Sequence, residues 1–249
     1  MRVPENMINS ENVINVISIN LDKFEKYIST FSSYLSSEEK ERADKFVFAH
    51  LKKRYIISHG FLRILIGKYL SLPPSEVDYA YNEFLKPLSK QNADLYFSMS
   101  HSHNVACYAF SFHHNIGIDI EYKNNDLEIK DLGPAIMTYN ESLVFEKLNK
   151  IDKLQLFYKT WTIKEAFLKA LGVGLSYPLS RIETTILPKD EFKVVKLYDI
   201  KEELEEWSFF SITSLPCYLG AVAIRKKETK INFINIRPSP EILLHLLKR

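Results

Sequence analysis

Cysteine is nearly absent from this chain: its 249 residues include only Cys107 and Cys217. The two lie far apart, each inside an apolar, strand-like run, which excludes a disulfide framework and a thiolate metal site. A reduced, cytoplasmic compartment is the expectation. Charge of one sign is also lacking. Lysine and arginine number 33 against 31 aspartates and glutamates, a net of +2, so no global field draws the chain to nucleic acid and any basic site must be local. Long apolar runs are missing too. The stretch from Phe61 to Leu70 is broken by Arg63 and Lys68, too short and too charged to span a bilayer. The opening MRVPENMINSEN has no basic-then-apolar leader pattern. A soluble, unprocessed protein with no membrane partner is expected.

What is present is ample apolar side chain, 46% of residues, enough for one sizeable core or two small ones. Val13 to Asn20 (VINVISIN) is rich in β-branched residues and predicts a buried strand. Ser36 and Ser37 precede EEKERADKF, acidic at its start and basic at its end as the helix dipole favours. A longer helix is expected from about Lys52 to Leu70, with Arg54 and Arg63 interrupting its apolar face. Pro73 and Pro74 end it. Leu95 to Ser100 and Asn104 to Phe112 predict paired strands, the first with Tyr96, Ser98 and Ser100 on one face.

At Ile116 the pattern restarts. IGIDIEY reads as a strand whose alternation puts Asp119 and Glu121 on one face and Ile118 and Ile120 on the other. Thr138 to Glu141 resembles a capping box opening a helix through Leu148. A long helix follows from about Lys153 to Leu171, closed by Gly172. Strands are expected at Arg181–Ile186, Phe192–Leu197, Trp207–Thr213 and Tyr218–Ile224. The order strand, short helix, long helix, strands thus occurs twice, offset by about a hundred residues. The expectation is an α+β fold of two similar α/β subdomains related by a pseudo-two-fold axis, residues 1–114 and 115–249, with a cleft between them.

Three groups of side chains could carry chemistry. The first is Asp119, Glu121 and Glu165. An isolated Asp-x-Glu is most often a solvated strand edge, but three converging carboxylates need a cation, since each pair near 4 Å repels by roughly 4 kcal/mol at an effective dielectric of about 20. Oxygen ligands without cysteine favour Mg²⁺, or Mn²⁺, over zinc. The second lies on the long helix, where Trp161, Glu165 and Lys169 form an i, i+4 stripe beside Lys164; a surface Glu–Lys pair of this kind contributes only ~0.3–0.5 kcal/mol. The third is a scatter of Arg42, Arg54, Lys86, Ser100 and His101, suited to gathering anionic oxygens. Ser100 and His101 point to opposite faces of a strand and cannot form a nucleophile–base pair.

GIDIE at Gly117 to Glu121 and WTIKEAFLKALGVGL at Trp161 to Leu175 resemble the two signature motifs of the 4′-phosphopantetheinyl transferases of the surfactin-synthetase-activating type. FSMSHS at Phe97 to Ser102 is similar to that family's strand-end motif, with Ser98 where asparagine is common. NEFLKP at Asn82 to Pro87 resembles its lysine-proline loop, with Leu85 in place of the usual glycine. ERADKF at Glu41 to Phe46, with Arg54, resembles its first-half basic segment. The resemblance implies that Asp119, Glu121 and Glu165 hold Mg²⁺, that Lys169 sits at the transferred phosphate with Lys164 beside it, and that Arg42, Arg54, Lys86, Ser100 and His101 bind the phosphates of coenzyme A. It further implies a holo-[acyl-carrier-protein] synthase type of activity: a serine of an acyl or peptidyl carrier protein attacks coenzyme A, with Glu165 as base, and releases 3′,5′-ADP. Fatty-acid, polyketide and nonribosomal-peptide carriers all present such a serine. Carrier docking is expected between Tyr122 and Tyr139, through Leu127, Ile129 and Met137, on a monomer whose two halves build one site. The alternatives are a non-catalytic module that binds coenzyme A or carrier protein, and a Mg²⁺-dependent phosphohydrolase.

Overall fold

The computed structural model describes residues 13–129, 132–185, 192–227 and 229–239. The expected unprocessed N-terminus and Ile186, at the end of one expected strand, lie outside the described residues. In the first half, β1 (Val13–Asn20) leads through a 3-10 turn to α1 (Ile28–Tyr34), α2 (Ser37–Asp44) and the long α3 (Ala49–Leu70). A small hairpin of β2 (Tyr79–Tyr81) and β3 (Pro87–Ser89) precedes the longer hairpin of β4 (Leu95–Ser102) and β5 (Val105–Phe112). The second half begins with β6 (Ile116–Tyr122) and runs through α4 (Leu132–Ile136), α5 (Tyr139–Phe145) and the long α6 (Lys150–Leu171). The hairpins β7 (Ile182–Thr184) with β8 (Val194–Leu197), and β9 (Ser208–Ile212) with β10 (Tyr218–Ile224), complete it, and β11 (Lys230–Ile236) follows.

The fold is α+β, and its two halves share one connectivity. In the first sheet β5 lies between β1 and β4; in the second, β10 lies between β6 and β9. Each time the last strand of a half returns to pair antiparallel with the first. Side-chain alternation then divides the core in three. Ala106, Tyr108 and Phe110 of β5 face α3, whereas Val105, Cys107 and Ala109 join Ile116, Ile118 and Ile120 of β6 in a core between the sheets. Ala221 and Ala223 of β10 pack toward α6. No disulfide joins the cysteines: Cys107 is buried and Cys217 exposed.

β11 departs from the expected division of the chain. It pairs in parallel with β1, from Val13–Lys230 to Ile19–Ile236, so residues 230–236 extend the first half's sheet although they follow the second half in sequence. The reason is an open edge. β1 has β5 on one side only, and an unpaired edge of buried, β-branched residues is satisfied by another strand.

Local signals account for the helices. Ser36 and Glu39, and Thr138 and Glu141, form reciprocal capping boxes at the starts of α2 and α5. Asn149 caps α6 through Ile151 and Asp152, and Gly172 ends it at φ 78°. Arg63, mid-helix in α3, is buried and bonds Glu39 at 2.7 Å and the carbonyl of Val77 at 2.7 Å, tying α3 to α2 and to the chain beyond Pro74. Among the described residues no helix is long and apolar enough to cross a membrane.

Candidate active site

The seat of the site is the contact between α6 and β6, and glycine makes it possible. A Cβ on Gly117 would lie 1.9 Å from the Ala166 carbonyl oxygen and 2.5 Å from the Ala170 nitrogen, so the helix backbone rests directly on the strand. This brings Lys169, one turn beyond Glu165, over Asp119. Lys169 Nζ donates to Asp119 Oδ1 at 2.7 Å. Glu165 is buried beside them, and its carboxyl is pushed up to about 7 by burial first, then by the charges of Asp119 and Glu121, against the opposing pull of Lys169. Burial likewise raises Glu121, while the hydrogen bond from Ser102 opposes the rise.

Asp119 and Glu121 share one strand face as the alternation requires, and Glu165 lies within electrostatic reach of both. Asp119 Oδ2 and Glu165 Oε1 are buried without a hydrogen-bond partner. Such orphaned oxygens, in an oxygen-only donor set, fit a hard divalent cation. Among the described residues no three His, Cys, Asp or Glu side chains are drawn close enough to form a preformed metal cage; the Lys169 ammonium meets one of the carboxylates instead.

A cavity of about 590 Å³ opens from Lys169 into the first half, lined by Arg42, Lys45 and Lys86 as well as Tyr79 and His59. Lys86 is carried by the 82–86 loop. Asn82 Oδ1 accepts the N–H groups of Phe84 and Lys86, and the Asn82 amide donates to Gly172 O at 2.7 Å, fastening the loop to the end of α6. Leu85 adopts φ 63° there, so leucine takes up the left-handed conformation that glycine favours. Lys86 Nζ donates to Ala170 O at 3.1 Å, and burial lowers this ammonium to about 8. The inner wall carries two more polar groups. The Tyr79 hydroxyl is buried without a partner, and burial holds the His59 imidazole down to about 3.

Three expected phosphate ligands stand elsewhere or are otherwise engaged. Lys164 is not beside Lys169: its side chain is 0% exposed, and Nζ donates to Glu141 Oε2 at 2.5 Å and Ile136 O at 2.7 Å. Glu141 Oε1 in turn accepts from the N–H and hydroxyl of Thr184. On a helix the position before Glu165 is turned by about 100°, which directs Lys164 into the second half's core. Arg54 makes a two-pronged bond to Asp22, at 2.9 and 3.0 Å, in a separate hollow with His50 and Lys53. Ser100 is buried and its hydroxyl is bonded to Asp119 and to the N–H of Ile120. His101 is exposed at the end of β4, within electrostatic reach of Lys169 and Arg54. The apolar residues expected at a docking surface turn inward: Ile129 is 8% exposed and Met137 3%, both in the core around α6. Tyr122, Leu132 and Tyr139, with Leu143 just beyond, are large exposed apolar side chains of that region.

One participant was not predicted from sequence: Ser102 donates to Glu121 Oε2 at 2.7 Å. The signal for Ser102 was available, because Ser98, Ser100 and Ser102 repeat at the same two-residue period as Gly117, Asp119 and Glu121.

Comparison with known proteins agrees with this architecture half by half. Residues 23–113 match the family model described as 4′-phosphopantetheinyl transferase, N-terminal, and residues 115–223 match that of the 4′-phosphopantetheinyl transferase superfamily. The chain is 29% identical to the 4′-phosphopantetheinyl transferase HetI of Nostoc sp. over 89% of its own length and 91% of that protein. It is 29% identical to the human L-aminoadipate-semialdehyde dehydrogenase-phosphopantetheinyl transferase, covering 78% of this chain and 68% of that one. With the 4′-phosphopantetheinyl transferase Sfp of Bacillus subtilis the identity is 32%, over 60% and 65% of the two chains. The holo-[acyl-carrier-protein] synthase structure from Thermotoga maritima aligns with 45% of this chain and 63% of its own, at 17% identity and a TM-score of 0.36, a slight likeness. With one model on each half, the chain belongs to the 4′-phosphopantetheinyl transferase superfamily.

Proposed function

We propose that this chain is a transferase of the surfactin-synthetase-activating type, moving 4′-phosphopantetheine from coenzyme A to a serine hydroxyl of an acyl or peptidyl carrier protein. The observation that carries the reading is the 2.7 Å contact of Lys169 with Asp119, beside the buried Glu165 carboxyl, at a cavity that gathers Arg42, Lys45 and Lys86. In this reading Arg42, Lys45 and Lys86 take the phosphates at the nucleotide end of coenzyme A, and the aromatic inner wall takes its base. The carrier serine Oγ attacks the β-phosphate. The new Oγ–P bond forms as the bond to 3′,5′-ADP breaks, and the serine proton passes to Glu165. Lys169 neutralises charge that grows on the transferred phosphoryl oxygens.

Asp119, Glu121 and Glu165 would hold Mg²⁺, which when bound supplies Lewis-acid polarisation of the phosphoryl group. The carrier would dock through exposed Leu132, Tyr139 and Leu143 on the path from β6 to α6. The test is release of 3′,5′-ADP from coenzyme A and Mg²⁺ with and without an apo carrier protein. Release that needs the carrier and is lost in Glu165→Gln supports transfer; equal release with water alone would make the protein a phosphohydrolase instead.

A further inference from the structure

β4 and β6 are the facing edges of the two halves, and three serine hydroxyls join them. The Ser98 hydroxyl accepts the N–H of Ile118 at 3.1 Å, that of Ser100 the N–H of Ile120 at 3.3 Å, and that of Ser102 the N–H of Tyr122 at 3.0 Å. Two of the three also donate. Ser100 Oγ donates to Asp119 Oδ1 at 2.9 Å and Ser102 Oγ to Glu121 Oε2 at 2.7 Å. At the corresponding place beside Ser98 stands Gly117, which has no side chain to receive a proton.

We propose that Ser100 and Ser102 are positioning residues for the cation-binding carboxylates, the first half of the chain thereby setting the geometry of ligands that belong to the second. A hydroxyl has one proton, so each serine commits it to one oxygen of one carboxylate. On Asp119, Ser100 and Lys169 both take Oδ1, and Oδ2 is left as the buried oxygen without a partner. On Glu121, Ser102 takes Oε2. The pattern fixes which oxygen of each group faces a cation and removes rotamers that a free carboxylate would sample. Loss of such outer bonds typically weakens metal binding about 10- to 100-fold. The inference rests on the cation role in the proposed transfer reading, but it concerns binding rather than turnover. Ser98 serves as an internal control, because it makes the same bond to the β6 backbone and none to a carboxylate.

The test is Mn²⁺ affinity of the full chain, read by electron paramagnetic resonance with and without coenzyme A, for Ser98→Ala, Ser100→Ala, Ser102→Ala and Ser102→Thr, with thermal midpoints alongside. Ser100→Ala and Ser102→Ala are expected to weaken Mn²⁺ about 10-fold or more, Ser98→Ala less than about 2-fold, and Ser102→Thr, which keeps the hydroxyl, to match the native chain. Ser102 is half-exposed at the rim, so its alanine variant decides the matter if buried Ser100→Ala does not fold. Equal weakening by Ser98→Ala would reduce the serines to a backbone seam and overturn the proposal. So would unchanged affinity in Ser102→Ala, or no Mn²⁺ binding by the native chain. Native Mn²⁺ binding with the expected serine pattern but no carrier modification would count against the transfer reaction alone.

Discussion

Substituting alanine at Gly117 should separate the two elements that build the site. The added Cβ would stand 1.9 Å from the Ala166 carbonyl oxygen, a backbone atom that no rotamer change can move aside. To reach even the 3.0 Å below which real Cβ contacts are essentially never seen, α6 must withdraw from β6 by at least about 1.1 Å. Overpacking of this kind costs about 1–3 kcal/mol of stability. The chemical cost is larger, because Lys169 and Glu165 ride on the helix while Asp119 and Glu121 stay with the strand. A 1 Å misplacement of reacting groups lowers turnover by about 100-fold. Urea denaturation would read the first effect and carrier-dependent 3′,5′-ADP release the second, at a temperature where the variant is folded. Gly117→Ala with an unchanged urea midpoint and kcat within about twofold of native would show that this contact does not set the site.

Other perturbations follow from the same structure. Lys164→Met should cost about 3–5 kcal/mol, because it leaves the buried Glu141 carboxylate without its cation, while KM for coenzyme A in the folded fraction stays native; a raised KM with native stability would return Lys164 to the phosphates. Leu85→Gly relieves a left-handed leucine that is 73% exposed, and should raise stability by up to about 1 kcal/mol in thermal unfolding; a loss would show that leucine holds the loop. The His59 imidazole, held down to about 3 by burial, stays neutral in the folded chain while the unfolded chain takes up a proton below about 6.5. Its contribution is complete above pH 6.5 and is lost as pH falls toward 3, on the order of 1–3 kcal/mol after allowance for its half-buried place at the cavity wall; His59→Gln should flatten urea midpoints between pH 7 and 4.5. Met137→Ala should destabilise by about 2–5 kcal/mol with little effect on carrier KM, whereas Tyr139→Ala should raise carrier KM at native stability; the reverse pattern would move the docking surface.

Much of the site was legible because it is local. The capping serine and threonine, the two-residue period of Asp119 and Glu121, and the four-residue period of Trp161, Glu165 and Lys169 are properties of single elements. What the sequence hid depends on which elements meet. Lys164 stands next to Glu165 in sequence but a third of a turn away on the helix, and only the buried Glu141 of α5 shows where it points. Ser100 looked like a phosphate ligand until β6 supplied both its partners from about twenty residues away. Ile129 and Met137, apolar and in a connecting region, could face a partner or the core, and packing against α6 decides for the core. β11 joins β1 across more than 200 residues, a pairing that no local pattern encodes.

What remains to be shown is that the site where α6 seats on β6 moves a phosphopantetheinyl group onto a carrier protein. Intact-mass spectrometry of an apo carrier protein incubated with coenzyme A, Mg²⁺ and this protein tests it directly, with Glu165→Ala in parallel. The expected result is a mass gain of one phosphopantetheine with the native chain and none with the variant. An unmodified carrier across fatty-acid, polyketide and nonribosomal-peptide types, or full modification by Glu165→Ala, would contradict it.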